Sequence, residues 1–387
     1  MNDNFYTIPN DYLVQIDYPE GDKHLSALNN IQFAHSGKFD LNSMTFFSET
    51  TYLIANAIKL YRSGYFDCAF YSLRQSIELS IGILYLTERG EEYLRKWECQ
   101  EAGFETHNMS KYLREHTLIF GDIRTKMAEF FDEIRTIQEE MNKYVHKQGF
   151  RTFYEFNRKI FQNEDIKWEW QSQRTNDFNR FVIKCIGAVA VYRLAIDPLP
   201  VLLAQEDMLY KVPGILTAPY SKEFISEYIG EKHIQKYFQT NIYQEYYNRL
   251  QSKETLCKGC YNLLHLNDYD RALWSEILGQ FHVLPPHAQL AVLFFSISNK
   301  IANIICKNGM VRYSSDIKTK RVPWSVVFSQ EYYENLLNSE ENLNQPYNNV
   351  YISRVRIHDE WEYIEHNEQL TSNEWNQITK ISNLFEK

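Results

Sequence analysis

Two polar sets in this 387-residue chain have residue types and spacings that could do chemistry. The first closes the segment GDIRTKMAEFFDEIRTIQEEMNKYVH (121–146). At about 100° per residue on a helix, Arg135, Glu139, Asn142 and His146 fall within roughly 60° of one another. Histidine is the side chain suited to moving a proton near neutral pH. The stripe is displaced by roughly 130° from the centre of the apolar stripe, so it flanks a buried face, as in a groove between helices or a dimer seam. The plainer alternative is a solvated Arg135–Glu139 pair with His146 in water. The second set is Arg74 and Glu78 in SLRQSIELS (72–80), which lies inside a strongly apolar helix. Burying an unpaired charge is costly, so the two must pair with each other or with the Asn142/His146 stripe.

The remaining clusters point elsewhere. NGMVRYSSDIKTKRVPW (308–324) carries Arg312, Lys318, Lys320 and Arg321 among aromatics, the compact basic stretch best suited to RNA phosphates; a solvated loop is the alternative. CKGC (257–260) has CxxC spacing without a second pair, so Cys257 and Cys260 are expected as free thiols without metal. HDEWEYIEH (358–366) gathers His358, Glu362 and His366, which would share a face on a helix. On the hairpin expected there, the carboxylates point outward and Trp361 and Tyr363 inward. No metal site and no cofactor are expected, and the sequence has no P-loop, Rossmann fingerprint, GxSxG or HExxH.

Long helices must position these residues, since there are only 14 Gly and 10 Pro to punctuate the chain. Helix signals run from Ser48 to Gly64, over 65–88 and over 176–196, where Asp197-Pro198 stops the helix. The 65–88 helix is apolar around much of its circumference, which makes it central. Ile123, Met127, Phe130, Ile134, Ile137, Met141 and Val145 repeat at spacings of three and four. They predict one continuous helix over 121–146, capped by Asp122 and stopped at Gly149. An aromatic-rich connector (150–170) is expected to be partly helical. The fold class is therefore mainly α: a polar, loosely structured arm (1–44), a helical bundle (45–200), and a mostly helical C-terminal domain (205–387) after the proline-containing boundary 197–207. In that last part, helices are expected near 269–281 and 287–307 and over 371–385, the last with Thr371 and Glu374 as a capping box, together with a small β-hairpin over 349–365.

The pair of helices reading YFDCAFYSLRQSIELSIGILYL and ending MNKYVHKQG resembles HEPN domains over about residues 45–200. Many HEPN members end their third main helix with Asn-x-x-x-His, as Asn142-Lys-Tyr-Val-His146 does. The resemblance implies an all-α module of prokaryotic toxin or antiviral defence systems. Ribonuclease members cleave RNA without metal: the 2′-hydroxyl attacks the adjacent phosphate, His aids proton transfer, Arg stabilises charge, and two sites meet across a dimer. His146 matches the His and Asn142 the polar position before it. The family places its Arg four to six residues before the His, and this chain has no Arg there: positions 139, 140 and 141 are Glu, Glu and Met, and position 142 is Asn. Arg74 or Arg135 would supply the cation instead. Other HEPN modules serve only binding or assembly, so the alternative to an endoribonuclease or RNA binder is a silent scaffold that oligomerises and holds a partner protein. A homodimer or larger assembly is expected through the 45–200 bundle.

Composition fits a soluble globular chain: 44% apolar, 24% charged and a net charge of −9, with no global basic field to attract nucleic acid. An RNA ligand thus needs a local basic patch. Six scattered Cys suggest reduced thiols and a cytoplasmic home. No signal peptide is expected, and HAQLAVLFFSIS (287–298) is too short to span a membrane.

Overall fold

The computed structural model describes residues 14–32, 41–101, 105–164, 166–205, 208, 210–211, 219–322 and 329–386. The chain divides into two compact units, Met1–Leu209 with Leu216–Ser252, and Tyr210–Ile215 with Lys253–Lys387. The segment 219–252, grouped by sequence with the C-terminal part, instead packs in the first unit: the turn Ile225–Ile229 lies against the long helix Lys167–Leu194. Part of the expected arm falls outside the described residues. What is described of it is packed, with Tyr18, His24 and Ile31 buried and α1 formed over Glu20–Ala27.

The first unit is helical. Its core is built by α2 (Leu41–Arg62), α3 (Phe66–Arg89), α4 (Thr106–His116), α5 (Leu118–Lys126), α6 (Ala128–Val145) and α7 (Lys167–Leu194). As its composition requires, α3 is central and packs on α2, α4, α6 and α7. The connector supplies a short helix over Tyr154–Gln162. The single helix expected over 121–146 is two helices, because Met127 leaves helical geometry at φ −101°, ψ 31°. Hydrogen bonds from Met127 N to Ile123 O (2.9 Å) and from Phe131 N to Met127 O (3.2 Å) span the break. The apolar stripe therefore keeps its phase, and Ile123, Met127, Phe130, Ile134, Ile137 and Met141 are all buried. Asp122 does not cap a helix start; it lies within α5 and accepts from Asn241 N at 2.6 Å.

The C-terminal half of α7 is buried all round because its residues are small: Gly187, Ala188, Val189 and Ala190 let neighbours approach closely. A Cβ on Gly187 would lie 1.9 Å from the Tyr228 carbonyl oxygen, a backbone atom that cannot swing aside. Gly187→Ala is expected to destabilise the first unit by about 2–3 kcal/mol, towards the upper end of what overpacking costs. A urea midpoint equal to wild type would refute this.

The second unit is more β than its sequence suggests. Its longer helices are α8 (Lys258–His265), α9 (Pro286–Ile297), α10 (Gln330–Asn338) and α11 (Ser372–Phe385), the last with the expected capping box, while the helix expected near 269–281 is reduced to a short one over Trp274–Gly279. Its strands are β1 (Asp268–Tyr269), β2 (Ile301–Cys306), β3 (Val311–Ser315), β4 (Gln345–Tyr347), β5 (Val350–Ile357) and β6 (Glu360–His366). They form one mixed sheet in the order β1-β3-β2-β6-β5-β4, with only β1–β3 parallel. The expected hairpin is β5–β6, but it is the middle of a six-stranded sheet rather than an isolated element. The helix expected over 287–307 ends at Ile297, and Ile301–Cys306 form a strand buried at every position. A continuous apolar run reads alike as buried helix or buried strand; Ser298 turns extended (φ −149°, ψ 136°), and the β-branched Ile301, Ile304 and Ile305 suit a strand. One face of the sheet carries Ile304, Ile364 and Val355 in the larger apolar core; the other carries Ile305, Ile352 and Tyr363 with Leu336 of α10.

Candidate functional site

In the first unit, α3, α4, α5 and α6 enclose a cleft of about 410 Å³. Helix α3 contributes Arg74 and Glu78, whose Nε–Oε1 distance is 2.8 Å. Of the two partnerships that the sequence left open, the structure takes this one, and the Glu78 side chain is only 19% exposed. Helix α6 contributes Arg135, Glu139 and Asn142 from the polar stripe. Arg135 is held loosely, 3.3 Å from Asp132 and 3.9 Å from Glu139. Asn142 differs: its Oδ1 is buried and accepts no hydrogen bond. A buried acceptor without a donor costs stability.

Two elements that sequence reasoning passed over complete the cleft. Helix α4 presents His107, Ser110 and Arg114, and α5 presents Arg124. The spacing of His107, Ser110 and Arg114, three and then four residues, is that of one helix face and was a usable signal. The Arg124 guanidinium lies over the Phe131 ring at 4.8 Å, and burial draws its pKa below the usual arginine range. Phe120 and Tyr192 add aromatic wall. Four Arg and two Glu line the cleft, so the lining itself carries an excess of two positive charges. Asp132, which pairs with Arg124 and Arg135, and Glu115, which pairs with Arg114, match those two charges from outside the lining.

His146 does not line this cleft. It is exposed at the C-cap of α6, where its backbone N–H donates to Asn142 O at 2.8 Å. Arg74 and Glu78 also line a second hollow of about 380 Å³ with Tyr71 and Val145, the residue before His146. The Arg74–Glu78 pair is thus shared by both hollows, and His146 follows directly on the wall of the second.

In the second unit the basic stretch is split. Arg312 donates to Asn303 Oδ1 from Nε (3.0 Å) and Nη2 (2.8 Å). Arg321 is buried against Glu365, Nε to Oε2 2.7 Å, and Asn303 Nδ2 donates to Glu365 Oε1 at 2.7 Å. These two arginines belong to an internal network of the sheet, which leaves Lys318 and Lys320 exposed. The acidic residues of β6 do not point outward as expected: Glu362 and Glu365 are buried with Tyr363, because β6 is a central strand covered on both faces. His366 hydrogen-bonds Ser353 Oγ at 2.9 Å, and burial pushes its pKa down to about 4, while His358 is exposed on the hairpin turn. Cys257 and Cys260 are free thiols at the start of α8, where Cys257 Sγ accepts from Cys260 N at 3.4 Å. Among the described residues no three His, Cys, Asp or Glu side chains are placed to hold a metal ion, and no helix is long and apolar enough to cross a membrane.

Comparisons with protein-family models, with curated proteins and with solved structures find no match to this chain.

Proposed function

We propose that the first unit is a HEPN-like module that binds RNA in the α3–α6 cleft and cleaves it without metal when two copies pair, in a defence or toxin setting. The observation that carries the reading is the convergence of Arg74, Arg114, Arg124 and Arg135 on a cleft whose Asn142 Oδ1 lacks a donor. Arginines neutralise phosphates, and Asn142 Oδ1 can accept from a 2′-hydroxyl or a base N–H. Phe120, Phe131 and Tyr192 offer ring faces beside them. Pairing of two copies would bring a His146 to an arginine held by the other copy, which supplies the cation missing just before His146.

A second reading has its own support: Arg74 is engaged by Glu78, and His146 stands outside the cleft. Those are features of a HEPN module that only assembles with its own copies or with a partner protein.

RNA binding is tested first by fluorescence anisotropy of a single-stranded oligoribonucleotide across a salt series. Each phosphate neutralised contributes a slope of about −0.7 in log K against log salt. Arg135→Gln and Arg124→Gln should each weaken binding and flatten the slope by about that amount. Arg135 is the cleaner change because its side chain is 61% exposed and not needed for packing. An unchanged slope in both variants would remove the cleft from RNA binding.

A further inference from the structure

We propose that the second unit holds a binding site for a small organic cation, an ammonium or amidinium on an apolar body, in a cavity of about 510 Å³ bounded by α9, the β5–β6 hairpin and the end of α11. This is separate from the RNA cleft and does not rest on it.

Glu362 of β6 lines the cavity and is only 4% exposed. Its Oε1 accepts weakly from Lys307 N at 3.4 Å, its Oε2 has no well-formed hydrogen bond, and the Cys306 thiol stands beside the carboxyl and partly offsets the effect of burial on its pKa. The neighbouring Cys306 thiol lies 3.9 Å from the His287 carbonyl oxygen, to which it donates. A buried carboxyl oxygen left open in a cavity calls for a donor, and a cationic N–H donor gives the strongest bond. The rest of the lining suits an apolar body: Leu290, Ile357, Phe385 and, 69% exposed at the rim, Leu384.

The charged surroundings select the sign. The titratable groups facing Glu362 are Glu360 of the same strand, Lys307 and Cys306 at the end of β2, His287 of α9 and His358 of the hairpin turn. Burial raises the Glu362 pKa above the usual carboxylate range, and it lowers that of His287, with Lys307 adding to the effect. Once Glu362 ionises, two carboxylates outweigh the single ammonium of Lys307, so an anionic ligand is disfavoured. A divalent ion is disfavoured too, since no three ligating side chains converge among the described residues. Binding then pairs the ligand cation with the Glu362 carboxylate.

The test is calorimetric titration of the full chain with benzamidine, and with benzoate as the anion of matching shape. Benzamidine should bind, and benzoate should not bind. Glu362→Gln preserves the shape and should weaken benzamidine at least about tenfold, as expected for losing a hydrogen bond to a charged group. Leu384→Arg places a cation at the rim on an exposed side chain and should also weaken it with the fold intact. Benzoate binding as well as benzamidine, benzamidine binding unchanged in Glu362→Gln, or no benzamidine binding up to about 10 mM would each overturn the proposal.

Discussion

Arg321→Ala is expected to destabilise the second unit by about 3–5 kcal/mol, the usual cost of removing one partner from a buried ion pair. Arg321 and Glu365 have side-chain exposures of 3% and 0%, so solvent cannot take the place of the lost guanidinium. Glu365 would keep only the Asn303 amide, which is already shared with Arg312 through its oxygen. The damage should therefore spread through β2, β3 and β6, the strands that carry Asn303, Arg312 and Glu365. The double replacement Arg321→Met, Glu365→Leu should be far milder than the single one, because it removes both charges together. Guanidinium unfolding followed by tryptophan fluorescence measures both. A single variant as stable as wild type would mean that the pair contributes nothing, and would return Arg321 to the set of arginines free to meet phosphate.

His146→Ala should lower RNA cleavage by about 10²–10⁴-fold, the contribution of one positioned acid–base group. It should leave folding and RNA affinity unchanged. His146 is exposed, its one structural bond uses the backbone N–H that Ala retains, and it lies outside the arginine cleft. Arg74→Ala should lose activity together with stability, since Glu78, only 19% exposed, would be left without its cation. The contrast separates the roles: His146→Ala loses rate alone, and Arg124→Gln or Arg135→Gln loses binding. In the scaffold reading His146→Ala is silent, and only changes on the face between copies remove function. Cleavage and cell toxicity at wild-type level in His146→Ala would sink the catalytic reading. Light scattering showing a strict monomer at micromolar concentration would sink the paired site.

Much of the first unit was legible from residue pattern, because helix periodicity is a local property. The spacing of three and four from Ile123 to Met141 identified the buried stripe correctly even where Met127 interrupts the helix, since backbone hydrogen bonds carry the phase across the break. The all-round apolar character of 65–88 marked α3 as central, and the cost of burying either charge alone called for partners for Arg74 and Glu78, either each other or the Asn142/His146 stripe; the structure pairs them with each other. Thr371 and Glu374 announced α11 through a contact three residues long.

What failed were judgements that depend on distant partners. The run 287–307 could be helix or strand until β3 and β6 took up the hydrogen bonds of Ile301–Cys306. Arg321 looked like a phosphate ligand because nothing local shows Glu365, 44 residues away, waiting inside the sheet. Alternation along β6 suggested outward carboxylates, but helices cover both faces of the sheet, and a strand's neighbours rather than its own pattern decide which side meets water. The same reason explains the cleft. Sequence put Arg135, Glu139 and Asn142 on one helix face, as the fixed turn of a helix requires. Only the packing of α4 and α5 brought Arg114 and Arg124 opposite them, left Asn142 Oδ1 without a donor, and set His146 beyond the cleft's edge.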